Sequence, residues 1–235
     1  MISVCLTTYN GALYLRDQIC SILRQLNPED ELIISDDGST DETLTIVEGL
    51  DDPRVRLLQN PGPHGVNGNF ENALRHAEGD YIFLSDQDDV WKEGKISKCI
   101  QALETADLVV HDAEVVNSQL VLQNKTLFSE LNIKGGFWNN FIRNRFTGCC
   151  MAFRKEILSY VLPFPNRVSF YHDNWIGLLV SLHGKVSFLN ESLILFRRHG
   201  ANQSSAAAKS GKRLSEQIGY RLSLGYNILK REIKR

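Results

Sequence analysis

The chain has 235 residues, 43% hydrophobic and 23% charged, with a formal net charge of −2. This is ordinary globular composition, and the length favours one α/β domain with an appendage over two equal domains. The charge is uneven: Lys209, Lys212, Arg213, Arg221, Lys230, Arg231, Lys234 and Arg235 face only Glu216 and Glu232, so the tail carries +6 and the remainder −8. An acidic body repels polyanions, which argues against nucleic acid as a partner. The five cysteines are odd in number and form no CxxC, as expected of reduced cytoplasmic thiols and not of a disulfide scaffold.

In chain order, MISVCLTTYN reads as a strand over Ile2–Thr8 and not as a signal peptide. Leu15, Ile19, Ile22, Leu23 and Leu26 then recur at helical spacing within 14–26. Further strands are expected at Glu31–Asp36, Val55–Gln59, Tyr81–Ser85 and 108–116, alternating with helices at 41–50, 69–77 and 93–104. Such alternation predicts a mostly parallel central sheet flanked by helices. The second half is less regular. An excursion over 117–134, a helix over 136–145, a strand over 147–153, a helix over 174–183 and one or two strands over 185–197 are expected. On the strand at 147–153, Cys149 and Cys150 would point to opposite faces. A small, polar loop over 201–211 leads to an amphipathic helix over 213–233, with Leu214, Ile218, Leu222, Tyr226 and Leu229 on one face. No apolar run reaches the ~18 residues that a membrane span needs.

Polar clusters gather where strands end. Thr7-Thr8-Tyr9-Asn10 closes the first strand, Asp36-Asp37-Gly38-Ser39 the second, and Asp86-Gln87-Asp88-Asp89 the fourth. Parallel strands would put all three on one rim, where α/β sheets bind ligands. Alternation would point Asp86 and Asp88 the same way, and two carboxylates with phosphate oxygens suit Mg²⁺ or Mn²⁺. A plain acidic turn is the competing reading, although three carboxylates in four residues repel one another without a cation. Turn and cap chemistry explains Gly38 onward but not Asp36 and Asp37 at a strand end. A carboxylate there could accept a pyrimidine imide N–H, beside Thr7 and a stacking face from Tyr9. The glycine-rich stretch 62–69 lacks the Lys-Ser/Thr of a P-loop and reads as loop punctuation.

The blocks TTYNGALYLRDQICSIL, IISDDGSTDET and GDYIFLSDQDDVW, followed by TGCCMAFRKE, FYHDNW and RRHGANQS, resemble the inverting family-2 glycosyltransferases of GT-A fold over about residues 1–204. The similarity is greatest to a bacterial polysaccharide, rhamnosyltransferase-like branch. The resemblance implies a GT-A α/β fold, with a nucleotide-binding half at 1–116 and an acceptor-binding half at 117–204. A linker and basic C-terminal helix would occupy 205–235. It implies transfer of a sugar from a UDP- or dTDP-sugar, dTDP-rhamnose among them, to a glycan hydroxyl. Thr7, Tyr9 and Asp37 match nucleoside-binding positions, and Asn69 a donor-proximal one. Asp86 and Asp88 match the DxD motif, with Asp88 the metal ligand and Asp86 at the ribose or metal. His199 matches a late residue that reaches the metal or diphosphate.

Asp173 matches the catalytic base. Its place before an apolar helix leads us to expect that the helix dipole holds it ionised, while a plain N-cap is the alternative. His172 is expected to be structural. Arg197 or Arg198 could pair with phosphate. Trp138, Phe141, Tyr171 and Trp175 could line an acceptor site, against the commoner role of aromatics in a core. Mn²⁺ or Mg²⁺ would be the cofactor, and a glycan or lipid-linked glycan the acceptor. The basic helix could rest on the inner face of the membrane, pack on the domain or form a homodimer. A catalytically inactive nucleotide-sugar-binding module is the alternative function.

Overall fold

The computed structural model describes residues 1–166, 168–200 and 214–235. The expected loop over 201–211 and the side chain of Leu214 therefore lie outside the described residues. The first half alternates as its periodicity requires: β1 (Ile2–Thr8), α1 (Ala12–Leu23), β2 (Glu31–Asp36), α2 (Thr43–Glu48), β3 (Val55–Gln59), α3 (Val66–Arg75) and β4 (Tyr81–Ser85). β1 and β2 are buried along their whole length, because helices cover both faces of the sheet. A two-residue strand β5 (Val90–Trp91) follows, then α4 (Lys95–Leu103) and β6 (Leu108–Asn117).

The 117–134 excursion is a strand, β7 (Leu122–Thr126), followed by the short α5 (Leu127–Leu131). Then come α6 (Phe137–Ile142), β8 (Met151–Arg154), α7 (Leu158–Val161), α8 (His172–His183), one long β9 (Val186–Arg198) and α9 (Leu214–Lys234). One expectation fails here. Gly148–Cys150 is a 3₁₀ turn, so Cys149 and Cys150 do not alternate across a strand, although both are buried. The apolar run TGCCMAF carries no signal separating such a turn from a strand.

The sheet order is β3-β2-β1-β4-β8-β6-β9-β5, with β7 paired to β6. β3, β2, β1 and β4 are mutually parallel. β8 then runs antiparallel to both β4 and β6, and β9 is parallel to β6. Two reversals restore the original direction, so β6 and β9 run with β1, β2 and β4. The carboxyl ends of β1, β2, β4 and β9 therefore share one rim, and the start of β8 lies there too.

Close approach of backbones shapes this rim. A Cβ on Gly68, in the first turn of α3, would sit 1.7 Å from the Pro63 carbonyl oxygen. A Cβ on Gly11, before α1, would meet the Gln87 side chain at 2.3 Å. The glycine-rich stretch thus packs its loop directly on the helix it precedes. Because backbone cannot swing away as a side-chain tip can, Gly68→Ala should lower unfolding free energy by about 1–3 kcal/mol. Urea denaturation measures it, and an unchanged midpoint would contradict this packing.

Candidate active site

The rim is assembled from the end of β1 outward. The Thr8 carbonyl accepts from Asp37 N at 3.0 Å and Asn69 Nδ2 at 3.1 Å. Gln87 ties this strand end to the acidic motif: its Oε1 accepts from Thr8 Oγ1 and Tyr9 N, both at 2.8 Å, and its Nε2 donates to Tyr9 O. Thr7 is buried, whereas the Tyr9 ring is half exposed at the edge. The bracing function of Gln87 was not legible locally, because its partners lie nearly eighty residues away.

The two aspartates that end β2 divide their work. Asp36 is buried and accepts from Gly38 N, Ser39 N and Ser39 Oγ, so turn formation does account for it, contrary to the sequence reading. Asp37 reaches the glycine-rich loop instead. Its Oδ1 accepts from Asn60 Nδ2 at 2.7 Å and lies 3.0 Å from His64 Nδ1, and its Oδ2 accepts from Gly65 N at 2.7 Å.

Residues 86–89 form a bend beyond the end of β4, so strand alternation does not extend to them. Asp86 lies instead with Asp89 and Cys149, their ligand-type atoms all within 4.8 Å. Burial, then Asp88, then Asp173 raise the Asp86 carboxyl to about 7. Burial, then Asp88, then Asp86 push Asp89 well up. Asp88 turns elsewhere: its Oδ2 is 2.8 Å from His199 Nε2, and the His199 ring packs on Tyr14 with centroids 4.8 Å apart.

Cations arrive from the following helix and from the far end of the chain. Lys95, fully buried, donates to the Cys149 carbonyl at 2.9 Å and lies 3.9 Å from the Trp91 ring centroid. Its ammonium pKa is lowered by burial. Arg197 donates from Nε to Asp88 O, from Nη1 to Ser118 O and from its backbone N to Asp89 Oδ1, and it stacks on Tyr14. Arg198 forms a two-pronged pair with Glu130 and holds that carboxyl below its usual range. Both arginines thus carry structural bonds, where the sequence left open a pairing with phosphate.

Asp173 sits in the first turn of α8. Its Oδ1 accepts from Asn174 N at 2.6 Å and from Asn144 Nδ2 at 3.5 Å. Burial nevertheless raises its carboxyl to about 7. The helix terminus does not hold it firmly ionised, because desolvation outweighs these bonds. Asn67 clamps the segment before it, accepting from His172 N and donating to Phe170 O, both at 2.8 Å. His172 is buried against Phe70 at 3.9 Å between centroids, and burial pushes its imidazole down to about 3. It is a neutral packing residue.

A cleft of about 590 Å³ opens between the glycine-rich loop and this segment, lined by His64, Gly65, Asn67, Glu71, Phe164 and Tyr171 among others. The four candidate acceptor aromatics separate. Trp175 is core, with Nε1 donating to Val161 O, and Phe141 is packed against the core. Tyr171 is exposed at the cleft, and Trp138 is exposed on α6.

The family model described as Glycosyl transferase family 2 matches residues 3–162. An uncharacterized glycosyltransferase of Nostoc sp., alr2836, is 29% identical over 96% of this chain and 74% of its own length. The Escherichia coli UDP-Glc:alpha-D-GlcNAc-diphosphoundecaprenol beta-1,3-glucosyltransferase WfgD is 25% identical over 92% of this chain and 83% of its own. Among solved structures, S. aureus TarS 1–349 in complex with UDP-GlcNAc superposes with a TM-score of 0.70 at 18% identity. That match covers 95% of this chain and 66% of the TarS chain. At this identity the superposition bears on the fold alone.

Two variants test the site's construction. Arg197→Met leaves the Asp88 and Ser118 carbonyls without their guanidinium donor, and should cost about 2–3 kcal/mol in urea denaturation. Burial raises the Asp173 carboxyl from the ordinary aspartate range to about 7 in the folded protein. Its stabilising contribution is therefore present at low pH and lost as pH rises through 7. Asp173→Asn removes this loss, so the variant's melting temperature should gain on the wild type between about pH 4 and pH 7 and hold that gain above. A constant difference across that range would contradict the buried placement.

Proposed function

The chain belongs to glycosyl transferase family 2, and from that premise we propose that it moves a sugar, with inversion, from a pyrimidine nucleotide-sugar to a glycan hydroxyl in bacterial surface-polysaccharide synthesis. The observation that carries this reading is the placement of Asp173, in the first turn of α8, near enough to the acidic motif for its charge to help raise the Asp86 carboxyl. A candidate proton acceptor thus lies in the neighbourhood of that motif. UDP- and dTDP-sugars, dTDP-rhamnose included, both suit the rim. Thr7, Tyr9 and Asp37 would take the nucleoside, with Asp86 near the ribose and Asn69 bracing the strand end behind it.

Mn²⁺ or Mg²⁺ fits the residues present. Asp88 and His199 already meet, and their carboxylate oxygen and imidazole nitrogen suit either ion with Asp86 at hand. The buried Asp86–Asp89–Cys149 group includes a thiol and suits a hard cation less well. When bound, the ion supplies positive charge to the departing diphosphate.

The acceptor hydroxyl gives its proton to the Asp173 carboxylate as its oxygen bonds to the anomeric carbon. The bond from that carbon to the diphosphate oxygen breaks on the opposite face, and its electron pair leaves with the nucleotide diphosphate. A carboxyl near 7 suits this task, since it is ionised for part of the population at neutral pH yet basic enough to take a proton. Holding it there destabilises the fold at neutral pH, a cost that a module binding nucleotide without turnover would not need. The E. coli relative's lipid-linked acceptor supports an acceptor of that kind here.

The test is a screen of UDP- and dTDP-sugars with Mn²⁺ or Mg²⁺, reading nucleoside diphosphate release. One pyrimidine donor should turn over, and Asp173→Asn should cut its rate by at least about 10²-fold. The acid limb of kcat/KM should fall near pH 7 and not near 4. Full activity of Asp173→Asn, or no binding of any pyrimidine donor, would overturn the assignment.

A further inference from the structure

α9 presents two apolar faces, and the fold uses one. Leu224 and Ile228 are buried on the domain. The same side is clamped by Arg221, which donates to the Ile142 carbonyl, and by Arg231, which donates to the carbonyls of Tyr160, Leu162 and Pro163. His183 pairs with Glu232 at 2.8 Å. Ile218, Leu222, Tyr226, Leu229 and Ile233 fall within an arc of about 80° on the opposite side at 100° per residue. All five are exposed, by 49% to 76%. The face that the sequence picked out is therefore the one the domain leaves open.

A second element widens this surface. The Arg221 bonds bring the end of α6 against α9, and α6 carries Trp138 and Ile142, exposed by 72% and 61%. Seven large apolar side chains thus stand exposed on two neighbouring helices, the kind of surface that marks an interaction site. Lys230 borders the stripe, with its Nζ 5.9 Å from the Tyr226 ring centroid, and Lys234 follows one turn on. Arg221, Arg231 and Arg235 turn toward the domain, so Lys230 and Lys234 are the basic side chains of the described helix that flank the open stripe.

We propose that α9 and α6 form a docking surface for an anionic lipid bilayer. The apolar stripe enters the headgroup boundary, with Trp138 and Tyr226 at interfacial depth and Lys230 and Lys234 against lipid phosphates. Charge selects this occupant over a second copy of the chain, because a symmetric pairing through the stripe brings the Lys230 and Lys234 of both copies to one seam, with like charge meeting like. The helix lies on the bilayer. Among the described residues no helix is long and apolar enough to cross one.

The experiment is co-sedimentation of the full chain with phosphatidylglycerol/phosphatidylcholine vesicles and with pure phosphatidylcholine vesicles, at low and high salt. The wild type should bind the anionic vesicles and be released by salt. Leu222→Glu/Leu229→Glu should weaken binding at least about tenfold, with an unchanged melting curve. Lys230→Glu/Lys234→Glu keeps the stripe and should remove the preference for anionic lipid, so it decides the matter if the leucine pair misfolds. Absence of wild-type binding would overturn the proposal, as would binding by both variants. A concentration-dependent dimer that the leucine pair dissolves would overturn it in favour of a second copy. The readout is lipid binding and not transfer, so failure here leaves the proposed reaction untouched.

Discussion

Like-charge repulsion at the end of β4 governs how this rim is built. Asp86, Asp88 and Asp89 lie within four residues and are largely removed from water. Such a cluster persists only where positive charge or hydrogen-bond donors reach it. The chain brings one of them from the next helix and the others from far away. Lys95 stands behind the cluster from the first turn of α4, the Arg197 backbone and guanidinium reach Asp89 and Asp88, and His199 meets Asp88. The relief is partial, since Asp86 and Asp89 both remain raised.

A second chain of contacts joins the two ends of the rim. Asp37 holds the glycine-rich loop through Asn60, His64 and Gly65, and Asn67 of the same region holds the backbone at Phe170 and His172. The proposed nucleoside end and the proposed base are thus fastened to opposite ends of one loop. Asn174, next to the base, donates to the Tyr220 hydroxyl of α9 at 2.6 Å. The C-terminal helix therefore touches the neighbourhood of Asp173 with one face while the opposite one stays open.

Much of this was legible in the residues. Turn and strand-end chemistry announced the clusters after β1, β2 and β4, since each depends on neighbours a few positions away. Asp36 and Asp37 could not be told apart in that way. They are adjacent and chemically identical, yet one closes its own turn and the other ties a loop more than twenty residues on. Asp173 was singled out by a family resemblance and expected to be held ionised, whereas burial raises its carboxyl to about 7. The helix terminus is visible in the sequence, whereas the packing that desolvates the carboxyl is not.

The sequence by itself determined the α/β alternation of the first half, the three polar strand ends and the two-faced character of the last helix. All of these rest on periods of two and 3.6 residues and on local turn chemistry. Only the tertiary structure decided that β8 would enter antiparallel between β4 and β6, and so that β9 would deliver Arg197 and His199 to the acidic rim. It likewise decided which face of α9 the domain would cover. Strand direction and helix docking are settled by which distant surfaces bury one another, and no local pattern records that choice.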